Sequence, residues 1–139
     1  MIRLPLDSPL RRGLRLRRAP RHLPRGAGEE SRWEYALRFL PENDLIPVEE
    51  AKALILSERA QLWCGEGCAG VTEITADDRL HILLAGGSLD GLLAMRPDVE
   101  AFARAMGCRA VFLSGRLGWR RIFPRFGYAF DGEDMVKEL

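Results

Sequence analysis

The order of apolar and polar positions divides the chain into helical and extended stretches. From Glu29 to Leu40, Trp33, Ala36, Leu37 and Leu40 recur at the three-and-four spacing of one buried helical face, and Pro41 ends the run. A second helix is predicted from Pro47, whose missing N–H is harmless in a first turn, with Val48, Ala51, Leu54 and Ile55 facing inward. The period then changes. Residues 61–64 and 69–75 flank Gly65-Glu66-Gly67-Cys68 as the strands of a hairpin, and Asp77-Asp78 marks the next turn. The run from Leu80 to Leu84 is nearly all apolar, as in a strand covered on both faces.

Gly86-Gly87 follows, and Ser88 stands at the N-cap position of a helix over 89–107. Pro97 predicts a break or bend in that helix, Val99, Phe102, Ala103 and Met106 line its buried face, and Gly107 terminates it. A short strand at 110–113, a helix over 117–124 ended by Pro124, a strand from Gly127 to Phe130, a turn at Asp131-Gly132 and a strand at 135–139 complete the order. That order, α-α-β-β-β-α-β-α-β-β, predicts an α/β (α+β) domain: a mixed, mostly antiparallel sheet flanked by helices. The crossover from 81–85 to 110–113 makes one parallel pair. Leu83, Phe102, Val111 and Phe112 are expected in the core.

Composition adds one thing to this picture. The 139 residues are 47% hydrophobic and 29% charged, enough for one domain with one core, and the net charge of +1 hides a split. Residues 1–25 hold eight arginines and one acid, Asp7, a balance of +7, so the remainder carries −6. Residues 1–27 therefore read as a basic Arg/Pro-rich arm on an acidic body at 28–139. Arg11, Arg12, Arg15, Arg17, Arg18 and Arg21 suit an acidic protein surface or a nucleic-acid backbone. No apolar run approaches the ~20 residues that cross a bilayer, and the N-terminus lacks the apolar core of a secretory signal. The expected compartment is the cytoplasm. Cys64, Cys68 and Cys108 read as thiols, and Cys64-x3-Cys68 lacks a second pair for a tetrahedral metal, so no metal is expected.

The order of elements resembles the GNAT family of acyl-coenzyme-A-dependent N-acetyltransferases, whose three-strand meander leads into a long helix, a strand, a short helix and a terminal hairpin. Ala103-Arg104-Ala105-Met106-Gly107-Cys108, the strand after it and Arg125-Phe126-Gly127-Tyr128 carry the match. The segment from Ile74 to Leu139 further resembles small members encoded by phages, prophages and gene-transfer agents, in HILLAGGSLDGLL, VEAFARAMGC, GRLGWRRI and the terminal KEL. The family's coenzyme loop presents Arg or Gln before its glycines. Here Leu84-Ala85-Gly86-Gly87-Ser88-Leu89-Asp90-Gly91 has neither, and Asp90 sets a negative charge where pyrophosphate would approach.

Two functions are open on these grounds. One is a non-catalytic, phage-related protein, cytoplasmic or held in a phage-like particle, that works in assembly or as an adaptor. Its basic arm would meet a protein partner or nucleic acid, and it would need no cofactor. The alternative is an acyl-CoA-dependent N-acetyltransferase using acetyl-CoA. Acyl transfer to an amine requires a base, an oxyanion donor and an acid for the thiolate. Glu73 and His81 are the candidate bases, against readings as a strand carboxylate and a packed histidine; Tyr128 is the candidate acid, against a ring turned into the core. The N–H groups of Gly86, Gly87 and Ser88 could cradle a phosphate, although such a pair also serves as plain turn chemistry. Arg116 and Arg120, on one helical face beside Trp119, could clasp phosphate and adenine, or project into solvent while the indole packs on the sheet.

Overall fold

The computed structural model describes residues 29–41, 46–114 and 117–139. The arm arginines and Arg116 lie outside them, as does the expected arm–domain boundary. Helices α1 (Glu29–Leu37) and α2 (Val48–Leu56) precede strands β1 (Gln61–Gly65), β2 (Cys68–Ile74) and β3 (Arg79–Gly87). Helix α3 (Leu89–Ala105) leads to β4 (Ala110–Ser114), helix α4 (Leu117–Arg120), a 3-10 turn (Phe123–Phe126) and the hairpin β5 (Ala129–Asp131) and β6 (Asp134–Glu138). One sheet in the order β1-β2-β3-β4-β6-β5 joins the six strands. All neighbours are antiparallel except β3 and β4, the predicted parallel pair. No helix among the described residues is long and apolar enough to cross a membrane.

Each face of the sheet carries its own core. Trp33, Ala36, Val48, Ala51 and Leu54 pack with Leu62, Val71, Leu83 and Leu84 on one side. Val99, Phe102, Ala103 and Met106 of α3 pack with Trp63, Ile74, Leu80, Val111 and Leu113 on the other. Helix α1 also closes the outer edge of β1, which would otherwise present unpaired carbonyls. Arg32 Nη2 donates to the Leu62 carbonyl at 2.7 Å, and the Tyr35 hydroxyl donates to Gly65 and accepts from the Gly67 N–H. Leu37, expected inside, is exposed because α1 ends there.

Helix α3 begins and ends as its sequence predicts. The Ser88 hydroxyl accepts from the Gly91 N–H at 3.2 Å. At the other end Gly107 takes φ 79°, Cys108 N–H reaches the Ala103 carbonyl and Gly107 N–H the Arg104 carbonyl. That is a Schellman motif. Two expectations are corrected. The helix continues through Pro97 without a break; the proline removes one backbone bond and lies exposed. The helix expected over 117–124 is two short pieces, with Pro124 inside the 3-10 turn rather than ending it and Gly127 at φ 93° as the terminator.

Candidate functional site

The ladder between β3 and β4 runs only from Arg79/Ala110 to His81/Phe112. Beyond that rung β3 stays with β2 and β4 goes with β6, so the parallel strands part like a fork. From Ile82 onward the β4-facing edge of β3 has no strand partner among the described residues. A bulge sits at the same place: Val71 pairs with Leu84 and Thr72 with Ile82, leaving Leu83 as the extra residue. Strict alternation would put residues 82 and 85 on opposite faces. The bulge puts Leu83 and Leu84 together in the α1–α2 core and lets Ile82 and Ala85 both face α3.

A pocket opens there, between the fork and α3. Its floor is Trp63, Gly70, Thr72, Ile82, Ala85 and Leu113, and α3 roofs it with Leu92, Met95, Arg96 and Val99. Trp119, Phe123 and Tyr128 close the end nearest β4. Water-sized molecules have about 50 Å³ in which to place their centres, room for a few of them or one short acyl chain. The lining is aromatic and aliphatic with few polar groups, the usual make-up of a small-molecule site. Among these, the Thr72 hydroxyl accepts from Trp63 Nε1 at 2.9 Å and donates to Gln61 Oε1 at 2.8 Å. One lone pair on Thr72 Oγ1 remains beyond these two bonds.

The sequence candidates are distributed over both faces. Alternation with Leu80 and Ile82 turns His81 to the α1–α2 face, where its ring stacks on Phe112 at 4.2 Å. It occupies the last rung before the fork. Burial, then the Arg79 charge, lowers its pKa to about 4, so the imidazole is neutral near pH 7. Glu73 is the cross-strand neighbour of His81 on the same face and is wholly buried, not a solvent-facing carboxylate. Tyr128 is on the other side, in the pocket wall, with its hydroxyl donating to Glu100 Oε2 at 3.0 Å. Burial, then the Glu100 charge, pushes its phenol far above the ordinary range.

The glycine pair is not a loop. Gly86 and Gly87 are the last residues of β3, opposite Ala69 and Cys68. A Cβ on Gly86 would stand 1.9 Å from the Phe39 carbonyl oxygen, and one on Gly87 2.3 Å from that of Gly67. Both glycines are required by the close approach of residues 39 and 67. The Ser88 N–H already donates to the Gly67 carbonyl at 2.8 Å. Arg120 is exposed, its guanidinium 4.9 Å from the centre of the Phe130 ring, while Trp119 is half-buried at 5.8 Å from Phe123. Cys64, Cys68 and Cys108 are buried and form no disulfide with one another, and burial, then Asp78, pushes Cys108 up to about 11.

Sequence reasoning missed a charged cluster at the pocket's edge. Glu100, 2% exposed, accepts from Arg96 Nη1 at 2.6 Å, Lys137 Nζ at 2.7 Å and Tyr128. Burial alone would raise the Glu100 carboxyl, but the bonds from Lys137, Arg96 and Tyr128 outweigh it and hold the pKa below the usual value. The signal was present: Arg96 and Glu100 are four apart, and Glu100 interrupts the apolar face of α3.

No family model matches the chain, and no curated protein matches it significantly. Among solved structures it is similar to a Bacillus subtilis acetyltransferase in complex with CoA, at a TM-score of 0.52 and 12% identity, covering 81% of this chain and 94% of that one. At this identity the likeness speaks for the fold. Forked parallel strands in a mostly antiparallel sheet, helices on both faces and this structural neighbour together establish a GNAT-like acetyltransferase fold.

Proposed function

We propose that the protein is an acyl-CoA-dependent N-acyltransferase, with acetyl-CoA as its simplest donor. The observation that carries this reading is the fork: a strand edge with no strand partner among the described residues from Ile82 onward, opening on an apolar pocket beside α3. The pantetheine arm of CoA is an extended chain with two amides, the chemistry that an open strand edge pairs with. The acyl group then enters the pocket, and the acceptor amine approaches the thioester carbonyl at the point where the strands part. The amine nitrogen forms the new C–N bond, the C–S bond breaks, and CoA leaves as the thiolate.

His81 is our candidate for the proton acceptor, because it stands on the last paired rung and is already neutral near pH 7. Tyr128 is a poor acid for the thiolate, since its proton is held by Glu100. Pyrophosphate binding at Gly86–Ser88 is left with little free backbone, as the Ser88 N–H is engaged. In this reading Arg120, exposed on α4, would meet a phosphate there. The similar structure bound to CoA supports this reading over a non-catalytic role in a phage-like assembly, which rests on the basic arm, the altered coenzyme loop and a sequence resemblance. The test is thiol release from acetyl-CoA with a panel of amines. Saturable, amine-dependent release that His81→Phe lowers by at least tenfold supports it; release by no amine, in protein shown to be folded, overturns it.

A further inference from the structure

The charged member of the pocket wall is Arg96. Its guanidinium has five N–H groups, and the described residues take one of them, through Nη1 to Glu100. Nε is buried with no acceptor among the described residues. The Phe126 ring covers the guanidinium at 4.5 Å and fixes its plane. Glu100 is shared with Lys137, and neither cation pairs with a second carboxylate among the described residues. Two cations therefore face one carboxylate, with one positive charge in excess. Both side chains are less than a fifth exposed, so solvent screens that charge poorly. A pocket meant for a plain hydrocarbon would gain nothing from this arrangement, because an unused donor beside an apolar cavity is costly.

We propose that the pocket selects a short acyl group that ends in a carboxylate, which the free N–H edge of Arg96 receives. The inference rests on the acyl-CoA reading above and names its donor class. The planar guanidinium suits a carboxylate, and a site built for hydrogen bonding rejects an analogue that lacks the partner group. Lys137, held on the far side of Glu100, keeps that carboxylate from neutralising Arg96 alone.

Calorimetry with acetyl-CoA, butyryl-CoA and succinyl-CoA tests this, because the last two differ chiefly in the terminal charge. Wild-type protein should bind succinyl-CoA at least tenfold more tightly than butyryl-CoA. Arg96→Gln should abolish that preference, bringing succinyl-CoA and butyryl-CoA to within about threefold of each other, less than about 0.7 kcal/mol apart. Glu100→Gln, which removes the competing carboxylate, should keep the preference or enlarge it, and it reports even if the Arg96 variant fails to fold. Equal binding of succinyl- and butyryl-CoA by the wild type, or a preference that survives Arg96→Gln, overturns the inference while acetyl-CoA binding leaves the transferase reading standing. Failure of all three thioesters to bind overturns both.

Discussion

Replacing Glu100 should cost more stability than any other single surface-distant polar change in α3. In Glu100→Ala the carboxylate that accepts from Arg96, Lys137 and Tyr128 disappears, leaving two cations with 17% and 19% side-chain exposure and a buried phenol. Each charge-assisted bond is worth about 1.5–3 kcal/mol. The three share one acceptor and the cations regain some water, so they do not add. The expected loss is that of a broken buried ion pair, about 3–5 kcal/mol. For a chain of this size that is a fall in melting temperature of roughly 10–20 °C. Glu100→Gln keeps the shape and one acceptor and should lose about half as much. Because the carboxyl's pKa is lowered by folding, its contribution is full above the unfolded value near 4.3 and is lost as pH falls through the lower folded value. Urea unfolding of wild type and both variants at pH 7 measures the loss, with the slope unchanged if only stability moves. A cost below about 1 kcal/mol for Glu100→Ala would show that the cluster is a solvated surface group and refute the reasoning.

His81 gives a second pH dependence of known sign. Its folded pKa of about 4 lies below the unfolded 6.5, so stability is full above pH 6.5 and falls by up to about 3 kcal/mol as pH drops toward 4. His81→Phe should flatten that window in urea titrations, and an unchanged slope there would contradict the burial seen in the fold. Gly87→Ala, at φ 100° with a clash at 2.3 Å, should unfold the protein or cost more than about 3 kcal/mol. Gly132→Ala, at φ 66° with open space around it, should cost only about 1 kcal/mol. Thermal melts separate the two, and equal costs would mean that the close approach of residues 39 and 67 is not needed.

The helical face 99-102-103-106, the three hairpin turns and the parallel crossover were legible because each rests on local spacing or on a rule of chain connection. What was hidden depends on contacts far apart in sequence. Gly86-Gly87 looks like punctuation, yet the pair ends a strand and is demanded by Phe39 and Gly67. Pro97 reads as a break or bend, but burial of Met95 and Val99 on either side keeps the helix unbroken. The bulge at Leu83 cannot be read from an unbroken apolar run, and it decides which side chains face the pocket. For the site, the sequence named His81 and Tyr128 singly; the pairing register turns His81 to the α1–α2 face, and Tyr128, just before β5, packs on the α3 side. The Arg96/Glu100 spacing on an apolar face was a local signal for Glu100, but that Lys137 and Tyr128 complete the cluster depends on contacts far apart in sequence.

The fork and pocket as an acyl-CoA site are tested most directly by titrating acetyl-CoA into wild-type protein and into Ala85→Leu. Ala85 faces the pocket from β3, and a leucine there fills the pocket at about 1–3 kcal/mol of strain, tolerable in a folded domain. The wild type should give a saturable isotherm with a dissociation constant in the micromolar range, about −8 kcal/mol, and the variant should weaken it at least thirtyfold while keeping its circular dichroism spectrum. No heat with the wild type at millimolar acetyl-CoA, or equal binding by folded Ala85→Leu, would contradict the assignment.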